Sequence, residues 1–198
     1  MTPSPNDPLE LALRSYRPTA RPPALTGGDV LYAVDDLPVG RLLLATRIDG
    51  TLVASSYVSD DADADTVLDR LSGRISPRVL RGGRALDGVR RQLGQYLGGR
   101  LRRFDVPLDL TLATPFQRDV LQRLAATVGY GSTTTYGHLA GELGRPTAAR
   151  AVGAALGANP LCIVLPCHRV IAATGALTGY AGGLAAKQFL LDLEQTAG

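Results

Sequence analysis

The residues best suited to chemistry lie in NPLCIVLPCHRVI, residues 159–171, where Pro166-Cys167-His168-Arg169 separates two apolar runs. A thiol reacts as its thiolate, and the cationic neighbours His168 and Arg169 favour that form, so Cys167 is a candidate nucleophile. Adjacent side chains of an extended chain point to opposite faces, so His168 is expected to act on Cys167 through the fold or a bridging water. A catalytic histidine also needs an orienting acid, and the acids downstream are Asp192 and Glu194, in a helix expected over residues 184–195. The plain alternative for Cys167 is a small, inert, buried residue, which is the reading given to Cys162. Two cysteines and two histidines (His138 and His168) are too few for a disulfide framework or a Cys/His zinc cluster. No metal is expected, and a reduced, cytoplasmic setting fits.

The elements that position this segment follow from apolar spacing and turn chemistry. Pro115 at a first helical position, with Phe116, Val120, Leu121 and Leu124 at helical spacing, predicts a helix to about Thr127. GYGSTTTYG (129–137) reads as a loop. Two short helices follow, over 136–143 and 147–156, separated by Gly144-Arg145-Pro146. That is the length and turn chemistry of a helix-turn-helix, whose second helix meets nucleic acid. The second helix consists almost wholly of small residues around Arg150, which lets a backbone come close to another surface. Arg150 itself is either a probe of that surface or a salt-bridge partner.

Upstream, VLYAV (30–34), RLLLATRI (41–48) and TLVASSYV (51–58) predict a small antiparallel sheet, with Asp49-Gly50 as a two-residue hairpin turn. DDADAD (60–65) opens a helix expected to run through Leu71, its acids suiting a helix N-terminus. Between Arg70 and Arg103 lie ten arginines, read as a solvated face. Within that stretch Leu86, Val89, Arg90, Leu93, Tyr96 and Leu97 recur at helical spacing before Gly98-Gly99, and the apolar stripe is assigned to the core. Residues 104–115 read as an extended linker. Residues 1–28 hold six of the thirteen prolines and are expected to lie outside the folded body, with a short helix over 9–16.

The chain has 198 residues, 45% of them hydrophobic, which suffices for a packed core. Apolar stretches are interrupted well before the roughly 20 residues a bilayer crossing needs, so neither a membrane span nor a signal peptide is expected. Net charge is +3, and every basic residue except Lys187 is arginine. That balance permits a polyanionic partner without demanding one. The expected fold class is α/β (α+β). A flexible extension (1–28) precedes an N-terminal α/β domain (29–108), which joins a mainly helical C-terminal domain (109–198) with a winged helix-turn-helix-like unit.

From about residue 114 to Glu194 the sequence resembles the O6-alkylguanine-DNA alkyltransferases, the methylated-DNA–protein-cysteine methyltransferase family. The resemblance rests on FQRDVL, VGYGSTTTYGHLA, AARAVGAALGANP, PCHRVI and GALTGYAGGLAAKQFLL, in that order and spacing. Residues 29–110 resemble the family's N-terminal domain more loosely. The resemblance implies a DNA-repair enzyme in which the Cys167 thiolate takes the alkyl group from guanine O6 in a single, self-inactivating turnover, without a cofactor. It implies that His168 acts through a water and is oriented by Glu194, and that Asn159 braces the turn presenting Cys167. The target base must leave the stack. Arg150 is then implied to enter the vacated space and Tyr136 to stand near the rotating phosphate. Thr135, Ala151 and Gly153 share the DNA surface, while Tyr180, Val170 and Pro166 surround the flipped base. The implied partner is double-stranded DNA carrying O6-alkylguanine, bound by a protein that is monomeric in solution, with cooperative loading on DNA left open. A non-enzymatic lesion-binding relative lacks the cysteine, so Cys167 separates the two readings. Leu121 stands where the family often has Trp, and Leu156 is a second departure.

Overall fold

The computed structural model describes residues 30–196; the expected extension 1–28 and its helix over 9–16 lie outside them. A four-stranded sheet comes first, in the order β3-β2-β1-β4, formed by β1 (Val30–Leu37), β2 (Gly40–Arg47), β3 (Leu52–Tyr57) and β4 (Val79–Arg81). The three sequence-predicted strands form an antiparallel meander, but β4 runs parallel to β1. The sheet is therefore mixed, and the expectation of a purely antiparallel one is corrected. Three residues inside an arginine-rich run carry no alternation strong enough to mark such a strand.

The β2–β3 connection also differs from the two-residue turn expected at Asp49-Gly50. Arg47 N–H donates to Thr51 O at 2.8 Å and Gly50 N–H to Arg47 O at 3.0 Å, so three residues (48–50) form the loop. Gly50 closes it at φ +88°, a left-handed conformation that glycine adopts without a Cβ penalty.

Two helices cover the sheet. Helix α1 (Asp61–Arg74) is capped by Asp60, whose side chain accepts from Asp63 N–H at 2.9 Å. It runs three residues past the expected end and packs Ala64, Val67 and Leu71 against Leu43, Ala45 and Val53. A short 3-10 turn (Arg84–Leu86) leads into α2 (Asp87–Leu97), on the sheet face that presents Leu42 and Leu44. Strand β2 is thus buried on both faces, which explains its unbroken LLLA. Arg90 is not part of a free basic face: its guanidinium donates to both Asp35 oxygens, at 2.7 and 2.6 Å.

The second half opens with α3 (Pro115–Thr127), matching the sequence reading at both ends. Thr114 and Gln117 form a reciprocal capping box, with Gln117 N–H to Thr114 Oγ1 at 3.3 Å and Thr114 N–H to Gln117 Oε1 at 2.8 Å. Helices α4 (Tyr136–Glu142) and α5 (Ala149–Gly157) form the helix-turn-helix, and α6 (Gly183–Thr196) closes the chain. The stretch read as a loop before α4 contains β5 (Thr134–Thr135), paired in parallel with β6 (Val170–Ile171) just after the candidate nucleophile.

The two halves share one apolar cluster, in which Leu42, Leu44 and Leu93 join Val120, Leu124, Leu139 and Val152. The 104–115 segment is no free linker either. Leu52 N–H donates to Pro107 O at 2.8 Å, Asp109 N–H returns to Leu52 O at 2.9 Å, and Arg47 Nε binds Asp109 at 3.0 Å. Strand β3 also holds the segment before Cys167: Ser55 N–H donates to Pro160 O (2.7 Å), Cys162 N–H to Ser55 O (2.8 Å), and Ser55 Oγ to Cys162 O (2.9 Å).

That last bond is fully buried, so Ser55→Ala is expected to destabilise the protein by about 1–2 kcal/mol. Urea unfolding of the two proteins measures it, and a difference of only a few tenths would mean the hydroxyl contributes nothing to holding the loop.

Candidate active site

Cys167, His168 and Arg169 form a 3-10 turn between Pro166 and β6, all three buried. The chain here is a turn and not the extended strand assumed from sequence, so the alternation argument does not apply. Cys167 is nonetheless held by Asn159 and not by its histidine. Asn159 Nδ2 donates to the Cys167 Sγ at 3.1 Å and to Leu165 O at 2.9 Å, and its Oδ1 accepts from Leu161 N–H at 2.9 Å. One side chain thereby spans both ends of the loop that presents the thiol. Within it Ile163 adopts φ +72°, a left-handed conformation costly for a β-branched residue, which the surrounding bonds sustain.

The Cys167 thiol is held below the ordinary thiol range. A hydrogen bond from the Cys162 side chain contributes most, burial opposes it, and Asn159 and the Lys187 ammonium add to the lowering. Cys162 is pushed up in turn by its bond to Cys167 and by burial. Sequence reading gave Cys162 and Lys187 no part in the chemistry. Lys187 is wholly buried, its Nζ donating to Val170 O at 2.6 Å and Thr178 O at 2.8 Å.

On the other side of the turn, His168 Nε2 lies 2.9 Å from Glu194 Oε1. Glu194, from α6, is buried and collects donors from several segments: Arg169 (Nε to Oε2 at 2.9 Å, the second guanidinium nitrogen to Oε1 at 2.9 Å), Gly131 N–H at 3.1 Å and the Tyr96 hydroxyl. Burial disfavours its charge, but the bonds from His168, Arg169 and Tyr96 outweigh that and bring its pKa down to about 2. Burial also lowers the His168 pKa, against the pull of Glu194. His168 Nδ1 is buried and has no hydrogen-bond partner among the described residues. Asp192, the other downstream acid, instead accepts from Gln188 on the exposed side of α6.

Cys167 opens into a cavity of about 470 Å³ lined by Tyr136, Gly153, Leu156, Thr178 and Tyr180. Tyr180 forms a wall, edge-on to Tyr57 of β3 with centroids 5.4 Å apart. Tyr57 also packs on Gly182, where a Cβ would lie 2.5 Å from Tyr57 Cζ, so only glycine fits there. Val170 and Pro166 are buried beside Cys167, although neither lines this cavity. Leu156 does line it, whereas Leu121 is fully buried in the shared core.

The outer face of α5 presents Arg150, Ala151, Ala154 and Gly157, all exposed. Gly153 sits against the Tyr136 ring, whose hydroxyl accepts from Thr178 at 3.1 Å. The Thr135 hydroxyl caps α4 by accepting from His138 N–H at 3.2 Å. Among the described residues, no three His, Cys, Asp or Glu side chains gather as a metal site.

Residues 115–196 match the family described as 6-O-methylguanine DNA methyltransferase, DNA binding domain. A methylated-DNA–protein-cysteine methyltransferase of Mycolicibacterium paratuberculosis is 45% identical over 164 residues, covering 83% of this chain and 92% of the relative. The chain belongs to the methylated-DNA–protein-cysteine methyltransferase family. Another methyltransferase of that name, from Methanosarcina acetivorans, is 52% identical over 163 residues, covering 82% of this chain and 97% of the relative. The crystal structure of Mycobacterium tuberculosis OGT in complex with DNA superposes with a TM-score of 0.71 at 40% identity, covering 84% of this chain and 94% of that one. The methyltransferase likeness therefore extends through the sheet domain as well as the helix-turn-helix.

The buried His168 and Glu194 both bind protons less readily folded than unfolded, so stability is expected to fall as pH drops. The decline begins below about 6.5, where the unfolded histidine takes its proton, and continues below 4.5 until Glu194 protonates near 2. The Glu194 contribution is on the order of a few kcal/mol. Urea unfolding across this range should show the acid limb flattened in Glu194→Gln, and an unchanged limb would contradict the assignment.

Proposed function

We propose that this protein repairs DNA by moving an alkyl group from guanine O6 to its own Cys167, once per molecule. The observation that carries the reading is a buried thiol with a lowered pKa, opening into a pocket between an aromatic wall and the recognition helix, with a buried His–Glu pair behind it. Family membership and the DNA complex of a solved relative support DNA as the partner.

In this mechanism the target nucleotide turns out of the duplex and enters the cavity beside Tyr180. Arg150, on the exposed small-residue face of α5, fills the gap, and Ala151 and Gly153 let the helix approach the groove closely. Tyr136 and Thr135 stand where the displaced backbone passes, and the hydroxyl of Thr135 suits a phosphate oxygen. Pro166 and Val170 fix the turn on either side of the reacting sulfur.

His168 Nδ1 takes the thiol proton through one water, since a buried acceptor without a partner among the described residues calls for one. Glu194 holds the ring and stabilises the imidazolium. The sulfur then attacks the alkyl carbon, a C–S bond forms, and the carbon–O6 bond breaks with its electron pair remaining on guanine. Guanine regains one proton, which balances the one lost from Cys167. The resulting thioether has no second nucleophile to release it, so the protein is consumed. We place the reaction in the cytoplasm, where thiols stay reduced, and the protein as a monomer in solution.

Incubation with a duplex carrying one O6-methylguanine should add one methylene mass per protein, mapped to Cys167 by peptide analysis. No gain, together with tight lesion-dependent binding, would overturn the reading in favour of a lesion-binding protein. Cys167→Ser should lose transfer and keep lesion binding. Arg150→Ala should slow repair of duplex by about tenfold or more, because unstacking costs a few kcal/mol, while leaving reaction with free O6-benzylguanine near the original rate. Equal losses on both substrates would count against insertion of Arg150 into the duplex.

A further inference from the structure

Tyr96 belongs to the last turn of α2, in the sheet-bearing half, and sequence reading placed it in the apolar stripe. Its ring does pack there, 5.0 Å from Phe104 and edge-on to Tyr130 at 6.0 Å, with 1% of the residue exposed. Its hydroxyl, however, leaves the stripe and meets both members of the His–Glu pair. It bonds to Glu194 Oε1 and lies 3.2 Å from His168 Nε2.

The placement of hydrogens follows from the acceptors. An ionised carboxylate has no proton to give, so the Tyr96 O–H points at Glu194 Oε1. The lone pairs of the Tyr96 oxygen are then left to face His168 Nε2, which already has Glu194 Oε1 at 2.9 Å. Two acceptors converge on Nε2, so that nitrogen carries the hydrogen. A neutral imidazole has a single N–H, which leaves Nδ1 as the bare acceptor. Burial, with Glu194 adding to it, raises the Tyr96 pKa well above the ordinary phenol value, so the hydroxyl keeps its proton through the neutral range.

We propose that Tyr96 is a positioning residue for alkyl transfer, joining Glu194 in fixing the hydrogen and the orientation of His168 Nε2 so that the bare Nδ1 serves as the base. Its oxygen also gives the imidazolium a second acceptor once the thiol proton has moved. This deepens the reading of Cys167 as the alkyl acceptor and rests on it. It makes α2 part of the reaction, because a displacement of that helix removes one of the two acceptors at Nε2. Glu194 Oε1 also accepts from Arg169 Nε at 3.2 Å and from its second guanidinium nitrogen at 2.9 Å, so its charge is shared among several donors and the Tyr96 oxygen adds an acceptor of its own at Nε2.

The test compares wild type with Tyr96→Phe, which keeps the ring and deletes the hydroxyl. Long-range 15N–1H NMR of histidine-labelled protein reads the tautomer directly, and rapid-quench transfer from O6-benzylguanine between about pH 6 and 9 reads the base. Wild type should show the Nε2–H pattern. Tyr96→Phe should shift the Nε2–H signal from its wild-type position, lower the rate at neutral pH by about tenfold and displace the rising limb to higher pH, because with the imidazolium less stabilised Cys167 keeps its proton to higher pH. Phe104→Leu, which disturbs the same ring packing and spares the hydroxyl, should leave tautomer and pH profile in place. An unchanged 15N pattern and pH profile in Tyr96→Phe, with wild type transferring normally, would overturn the proposal. Failure of wild type to transfer would instead strike the reading of Cys167, while the NMR comparison would still decide the tautomer.

Discussion

Glu194 carries a full negative charge with almost no access to water, and an ion so placed is tolerated only when donors surround it. Those donors are four residues from three places in the chain: Tyr96 on α2, Gly131 in the loop before β5, and His168 and Arg169 on the 3-10 turn. None is near Glu194 in sequence, so satisfying this one carboxylate requires α2, the β5 approach and the Cys167 turn to converge on α6. Arg169 extends the convergence to α3 by donating to Val128 O at 2.8 Å. The site is assembled by the same bonds that offset the cost of burying its acid, and its geometry is inseparable from the docking of the two halves.

A second constraint works from the opposite side. The loop before Cys167 is stitched to β3 through Ser55, clamped internally by Asn159, and turned through a left-handed isoleucine. Strand β3 also supplies Tyr57, which backs the Tyr180 wall. The sheet half therefore contributes to both faces of the thiol: the pocket face through Tyr57 and the proton face through Tyr96. A recognition helix of small residues could lie close to many surfaces, but here it forms one lip of a cavity whose other walls are braced from behind.

How much of this was legible in the sequence depended on the range of the cause. Helix α3 was visible because a first-turn proline and an apolar stripe are local signals. Strands β1 to β3 were visible because β-branched and apolar runs lay between turn residues. Strand β4 was not, since three residues paired along one edge leave no periodic trace, and β5 with β6 are shorter still. At the site, the Cys167–His168 pair and Glu194 were named from the motif and the family resemblance, whereas Tyr96 looked like any other stripe residue. Its hydroxyl becomes informative only when a partner 98 positions away is seen to meet it. The 3-10 turn at Cys167 escaped for a related reason, because a valine- and proline-rich run reads as extended until tertiary bonds bend it.

Lys187, the chain's one lysine, is spent entirely inside, tying the β6 carbonyl of Val170 to Thr178 beside the pocket. Apart from the exposed imidazole of His138, the basic side chains at the surface are consequently guanidinium groups, whose charge does not titrate in the range where proteins function. The folded body so offers no side-chain amine to an acylating reagent. Such a reagent can mark Lys187 only when α6 and the segment carrying Thr178 part, which makes this single amine a built-in reporter of how often the pocket comes open.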